Sequence, residues 1–231
     1  MNNISKPNIE EVKNAIVSRD AKDAKIDQKN RTELVSEGLQ IIYPKKTIKI
    51  DTGEIIGIPN VVDLIVKQIR GSDRIISVEG ESGCGKSSTA KMLAEKFGTS
   101  VISASDIFRY LTYTKQNDNS KEIKQIISDL GYQQDKDQLC LCNSQVNITK
   151  DLHKKLHTYE IDVEVAQVAE ISQSEVIEFL NKEIKHLLAS GDKKIIIEGR
   201  AFTLDFLPAD LRIKLFADIV VRVERRLVQE R

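Results

Sequence analysis

Residues 75–90, Ile-Ile-Ser-Val-Glu-Gly-Glu-Ser-Gly-Cys-Gly-Lys-Ser-Ser-Thr-Ala, constrain this chain more than any other stretch. Ile75, Ile76 and Val78 make a short apolar, β-prone run that predicts a buried parallel strand. The run passes into Gly80-x-x-x-x-Gly85-Lys86-Ser87, after which Ala90, Met92, Leu93, Ala94 and Phe97 follow a helical pattern. Strand, glycine-rich loop and helix in that order are the setting of a phosphate-binding loop. Glycines let the backbone turn without a Cβ clash, so successive N–H groups can face one anion. The helix that follows adds the positive end of its dipole. Gly80, Glu81, Ser82, Gly83, Cys84, Gly85, Lys86, Ser87 and Ser88 are thereby assigned to a nucleoside triphosphate. Lys86 is placed for the β- and γ-phosphates, and the Ser87 hydroxyl for Mg²⁺.

The rest of the chain alternates strand-like and helix-like segments. Residues 1–40 are polar, and 19–31 carry almost no core material, which predicts a solvated helix or arm. Two β-prone runs flank Asp51-Thr52-Gly53 and predict a hairpin. A helix follows, capped by Asn60, with Val61, Val62, Leu64, Ile65 and Ile69 on its apolar face. Beyond the phosphate loop come a strand at 100–103, a helix from Asp106 to Thr114, and a helical run through Ile123, Ile126, Ile127 and Leu130. A hairpin is predicted over 138–148, then a short helix at 151–157. A helical region begins at Val163, and a separate long helix is capped by Ser174 and ended by Gly191. Residues 194–200 and 211–216 read as strands, and 220–231 as a basic helix. Strands alternating with helices imply a parallel sheet. The ligand cleft of such a sheet lies at the carboxyl ends of its strands, where the phosphate loop, Ser103 and residues 198–200 would converge.

Bulk properties narrow the function. Lys+Arg and Asp+Glu both number 35, so no global basic field favours a nucleic-acid backbone. Trp is absent and aromatics are 5%, which disfavours a base-stacking single-strand binder. No apolar run approaches a membrane span, and the first residues lack a hydrophobic signal core. Cys84, Cys140 and Cys142 cannot form an even disulfide framework, and Cys-x-Cys is the wrong spacing for a zinc half-site. These features point to a cytoplasmic enzyme with buried thiols. No Asn-Lys-x-Asp guanine-reading motif is present, so a GTPase switch is a poor reading.

Several blocks match, in order, the cytidylate (CMP/dCMP) kinases, a branch of the P-loop nucleoside monophosphate kinases. Thr89-Ala-Lys-Met-Leu-Ala-Glu-Lys-Phe-Gly98 resembles the family's first helix, and Ile107-Phe108-Arg109-Tyr110-Leu111-Thr112 its Met-Tyr-Arg-Ala-Leu-Thr block. The stretch 139–148 is similar to its monophosphate-binding insert. Leu156-His157-Thr158-Tyr159-Glu160 through Gln167-Val168-Ala169 is similar to its Ile-Arg-Thr-Pro-Glu…Gln-Val-Ala segment, and Glu198-Gly199-Arg200 to its Glu-Gly-Arg-Asp turn. The resemblance implies an α/β, three-layer P-loop NTPase-type fold with a parallel sheet over residues 74–231. A small insert would span about 113–170, and residues 1–73 would form an N-terminal extension. It also implies that Arg109 and Arg200 grip the acceptor phosphate, where a guanidinium fork binds bidentately. Ser103 and His157 stand at further substrate-binding positions. Lys86, Arg109 and Arg200 are the implied catalytic set, and the substrate is a nucleoside monophosphate, CMP or dCMP, with neither nucleic acid nor membrane as partner.

Three segments depart from the family pattern. Its Asp-Thr-Gly is Ser103-Ala104-Ser105 here, its insert Arg is His157, and its Asp after Gly-Arg is Ala201. The family continues past the basic segment with an arginine-rich lid, a helix, a strand and a last helix. Here Arg222, Arg225 and Arg226 match only the lid's first part. Two readings therefore stand: ATP-dependent transfer to (d)CMP, and a catalytically weak or inactive nucleotide-binding protein that acts through a partner. Cations on the transferring group are worth roughly 10³–10⁵ in rate, so an incomplete lid favours the second.

Overall fold

Alternating apolar runs become five neighbouring parallel strands. The computed structural model describes residues 9–99, 101–135, 138–191 and 194–229. Helix α1 (Ile9–Ser36) leads to strand β1 (Lys46–Asp51) and helix α2 (Ile58–Val66). Strand β2 (Ile75–Gly80), the glycine loop and α3 (Lys86–Phe97) follow, then β3 (Val101–Ser103) and α4 (Ala104–Asn117). The insert holds α5 (Ile123–Ser128), β4 (Gly131–Asp135), β5 (Gln138–Cys142), α6 (Ile148–Asp151) and α7 (His153–Leu156). The long α8 (Tyr159–Ala189), β6 (Ile195–Gly199), α9 (Ala201–Leu204), β7 (Leu211–Phe216) and α10 (Ile219–Gln229) complete the order. The central sheet runs β1-β7-β2-β6-β3, every pair parallel.

Side chains alternate across the sheet with the strand period of two. Ile76, Val78, Ile196, Leu211, Ile213 and Leu215 face one layer, with Val61, Val62 and Ile65 of α2 and Leu93 of α3. Ile75, Ile195 and Ile197 face the other, with Ile107 and Leu111 of α4 and Val176, Leu180 and Ile184 of α8. The result is helices, sheet and helices in three layers, the P-loop kinase architecture the sequence implies. The phosphate-loop strand β2 sits in mid-sheet between β6 and β7, so the loop emerges among strand ends rather than at an edge.

Four local expectations are corrected. Residues 47–58 form no hairpin: β1 pairs in parallel with β7, Lys46 opposite Leu211 through Asp51 opposite Phe216. The Asp51 carboxylate accepts the Gly53 N–H at 2.8 Å, an Asx turn that sends the chain into α2 instead of back along β1. That helix begins at Ile58 behind Gly57, and Asn60 is no cap; its side-chain amide donates to the Ile56 carbonyl. The insert hairpin is β4 with β5, antiparallel, and the return after Cys142 is a single bridge to Asn147. Ser174 caps nothing, because α8 runs unbroken from Tyr159; the true cap is Thr158. Inside that helix the Ser172 hydroxyl bonds the Val168 carbonyl four residues back, so the polar Ser-x-Ser stretch does not end it. Ser100, at the start of the strand predicted at 100–103, and Glu230 and Arg231, at the end of the predicted basic helix, lie outside the described residues.

Candidate active site

The glycine loop is shaped by close packing. A Cβ on Gly80 would lie 2.5 Å from the Leu215 carbonyl oxygen, with φ at +154°, so only glycine fits where the loop leaves the sheet. Gly85, with φ of +85°, stands at the N-cap of α3, and Lys86 opens that helix. The carbonyls of Ser82, Gly83 and Cys84 are taken by protein donors: Arg222 Nε at 2.8 Å, Arg225 at 3.3 Å and the Thr52 hydroxyl at 3.1 Å. The described peptide bonds are all trans, so each such carbonyl points opposite to the next residue's N–H. The Gly83 and Gly85 amides are thereby turned away from these donors and toward the loop's interior, the orientation an anion requires.

A cleft of about 650 Å³ opens at the carboxyl ends of β2, β3 and β6. Ser82, Gly83, Gly85, Lys86 and Ser87 form one wall; Arg109, His157, Arg200 and Arg226 stand on others. The predicted Lys86, Arg109 and Arg200 are thus brought to one cavity although they lie far apart in sequence. Arg109, on α4, donates to the Leu156 carbonyl at 2.9 Å and to Asp162 at 2.5 Å. The other Asp162 oxygen accepts from Arg226 at 3.0 Å. His157 lies 3.6 Å from Asp106, an ion pair only while the imidazole is protonated.

Other predicted residues have different places. Cys84 is buried beneath the loop, and burial pushes its thiol above the ordinary value despite nearby Arg222 and Lys86. Ser88 is exposed on α3, and Glu81 faces Arg222 at 2.5 Å rather than the cleft. Ser103 does not line the cleft. Its hydroxyl caps α4 by accepting the Asp106 N–H and donates to Glu198 at 2.6 Å. Of the lid-like arginines, only Arg226 lines the cleft; Arg222 and Arg225 grip the outer side of the phosphate loop.

Sequence reasoning gives no site role to Asp162, to Glu198 or to α1. Glu198 is 3% exposed and its second oxygen accepts the Ser87 hydroxyl at 3.3 Å. A serine hydroxyl and a carboxylate, both hard oxygen donors beside a phosphate loop, fit Mg²⁺, which takes one or two protein oxygens plus phosphate and water. Among the described residues no cluster of three or more His, Cys, Asp or Glu side chains forms a self-contained metal cage. No helix among them is long and apolar enough to cross a membrane.

The sequence profile named Cytidylate kinase matches residues 76–231, from the phosphate-loop strand onward. This chain belongs to the cytidylate kinase family. It is similar to the Cytidylate kinase of Mycoplasmopsis synoviae (strain 53), 31% identical over 160 residues, which cover 67% of this chain and 70% of that protein. Family membership carries nucleotide binding and phosphotransferase chemistry on a nucleoside monophosphate.

Proposed function

We propose that this protein transfers the γ-phosphoryl group of ATP to CMP or dCMP, giving ADP and the diphosphate. The observation that carries the reading is the single cleft with the phosphate loop on one wall and three arginines, Arg109, Arg200 and Arg226, on the others. The loop amides and Lys86 hold the triphosphate. Arg109 and Arg200 hold the acceptor phosphate, whose oxygen is already anionic, so no side-chain base is needed. Ser87, with Glu198 beside it, would hold Mg²⁺, which neutralises charge on the β- and γ-oxygens. Positioning two polyanions in line and shielding their charge supplies most of the catalysis in such transfers.

A second reading, a nucleotide binder of weak activity working through a partner, draws on Arg222 and Arg225. Both commit their guanidinium groups to protein partners: Glu81, Asp20 and Ser82 for the first, Thr52 and Gly83 for the second. A coupled assay for ADP with CMP, dCMP, UMP and AMP decides between them. Turnover with CMP or dCMP that Lys86→Ala abolishes supports the kinase. ATP binding without turnover on any acceptor supports the second reading.

A further inference from the structure

The N-terminal helix, strand and helix lie outside residues 76–231, the part that matches the family, yet they touch the nucleotide site at four places. Strand β1 extends the central sheet beyond β7 over six paired residues, which brings Thr52 to the back of the phosphate loop. Thr52 is 1% exposed. Its hydroxyl reaches the Cys84 carbonyl at 3.1 Å and the Phe216 carbonyl at 3.2 Å, and accepts from Arg225 at 2.9 Å. Its own carbonyl accepts a second Arg225 N–H at 2.5 Å. Ile58, the first residue of α2, packs so close to Gly85 that a Cβ there would lie 3.2 Å from its Cδ1.

Helix α1 supplies the other two contacts. Asp20 accepts from Arg222 at 2.6 Å, and Arg222 in turn donates to Ser82 and Glu81 of the loop. The Arg222 side chain is 5% exposed, and its backbone and Cβ lie 3.2–3.3 Å from where a Gly83 Cβ would sit, so it fills the space behind the loop. Ile26 and Asp27 of the same helix line the cleft itself. Val12 and Ile16 join Val223 of α10 in a small apolar cluster, and Arg31 pairs with Asp205 at 2.5 Å, which ties α1 to both neighbours.

We propose that the N-terminal segment is part of the ATP site, with Thr52 and Asp20 as positioning residues that hold the phosphate loop from behind. Thr52 fixes the Cys84 carbonyl directly and Arg225 at the Gly83 carbonyl. Asp20 neutralises and orients Arg222, which fixes the Ser82 carbonyl. With three successive carbonyls anchored on the outside, the Gly83 and Gly85 amides are held inward before any phosphate arrives, while the Cys84 amide between them bonds the Glu81 carbonyl at 3.3 Å. Preorganised amides lose little freedom on binding an anion, which is the source of the affinity. Neither residue touches phosphate, so neither is catalytic.

The inference rests on the nucleotide-site reading above. Its test is the dissociation constant for ATP, measured by calorimetry on the full chain without acceptor, for wild type, Thr52→Val, Thr52→Ser and Asp20→Asn. Valine keeps the shape of threonine and removes the hydroxyl. When a loop ordered in the free protein by one buried hydrogen bond must instead be ordered by the ligand, the cost falls on binding and is about tenfold. Thr52→Val is expected to weaken ATP about tenfold, Thr52→Ser to restore it to within about twofold, and Asp20→Asn to weaken it about threefold to tenfold. CMP affinity should stay within about twofold in all three, since the acceptor wall is untouched. Thr52→Val and Asp20→Asn chains that melt at lower temperature but bind ATP as wild type does would overturn the positioning role and leave the nucleotide site standing. A wild type without ATP affinity would overturn both.

Discussion

Asp162 offers the sharpest perturbation of the acceptor wall. Its two oxygens are held by Arg109 at 2.5 Å and Arg226 at 3.0 Å, with side-chain exposures of 17% for Asp162, 14% for Arg109 and 30% for Arg226. It stands where an anion between two guanidinium groups would stand, so it occupies part of the charge field that a monophosphate needs. Asp162→Asn keeps the shape and removes the charge. A charge-assisted hydrogen bond is worth about 1.5–3 kcal/mol when well buried. Partial exposure cuts each toward about 1 kcal/mol, so two bonds give about 2 kcal/mol. For a chain of this size that lowers the melting temperature of the unliganded protein by about 4–8 °C. Saturating CMP should recover about half of the loss, because its phosphate replaces the missing anion. That recovered half, about 1 kcal/mol, returns as tighter acceptor binding, a KM for CMP about fivefold lower. Differential scanning fluorimetry with and without CMP, beside initial rates across CMP concentrations, reads both quantities. A KM that rises while CMP fails to rescue the melting temperature would refute the reasoning. Asp162 would then be aiming the arginines at the phosphate, not competing with it.

Three other outcomes can be checked independently. Burial works to raise the Asp210 carboxyl, but Lys45 and the amides of Ile75 and Arg74 hold it below the ordinary carboxylate value. Its contribution is therefore present above the unfolded value and lost as pH falls through the folded one. Urea midpoints of wild type should drop below about pH 4, and those of Asp210→Asn should be lower at neutral pH and flatter over that window. Cys84, Cys140 and Cys142 are all buried and unpaired, so a thiol reagent at about pH 8 should label them slowly in the folded protein and all three at once in urea; rapid labelling of Cys84 in the folded protein would contradict the loop packing. A rearranged chain, with residues 74–231 first and residues 1–71 following through a flexible linker, should melt within about 5 °C of the natural order and bind ATP equally, because α1 and α10 already pack together; a chain that fails to fold would show that the natural connectivity matters beyond those contacts.

The phosphate loop is legible because its signal is local: the strand, the glycines, Lys86 and the helix are consecutive within residues 75–90. The parallel sheet follows from the alternation of runs such as 194–200 and 211–216. Arg109 and Arg200 come from ordered blocks that resemble the family, and the fold brings them to one cleft with Lys86. The groups that support them leave no local trace. Thr52 meets Phe216 across 164 positions, Asp20 meets Arg222 across 202, and Ser103 meets Glu198 across 95. The run after Asp51 misleads because Ile55 and Ile56 are β-prone, while the partner that β1 takes lies near the far end of the chain. Helix α1 packs on α10 through Val12, Ile16 and Val223, and β1 pairs with β7, although the members of each pair stand near opposite ends of the chain. No window along the chain could reveal either pairing.

The central claim is that one cleft passes a phosphoryl group from a triphosphate to a nucleoside monophosphate. Its most direct measurement is a single-turnover reaction of the full chain with ATP radiolabelled on its γ-phosphate, Mg²⁺ and excess CMP, with the products separated by chromatography. The account predicts label in CDP, no such transfer with Lys86→Ala, and little label in inorganic phosphate. Label that stays in ATP, or appears only as inorganic phosphate, would contradict it.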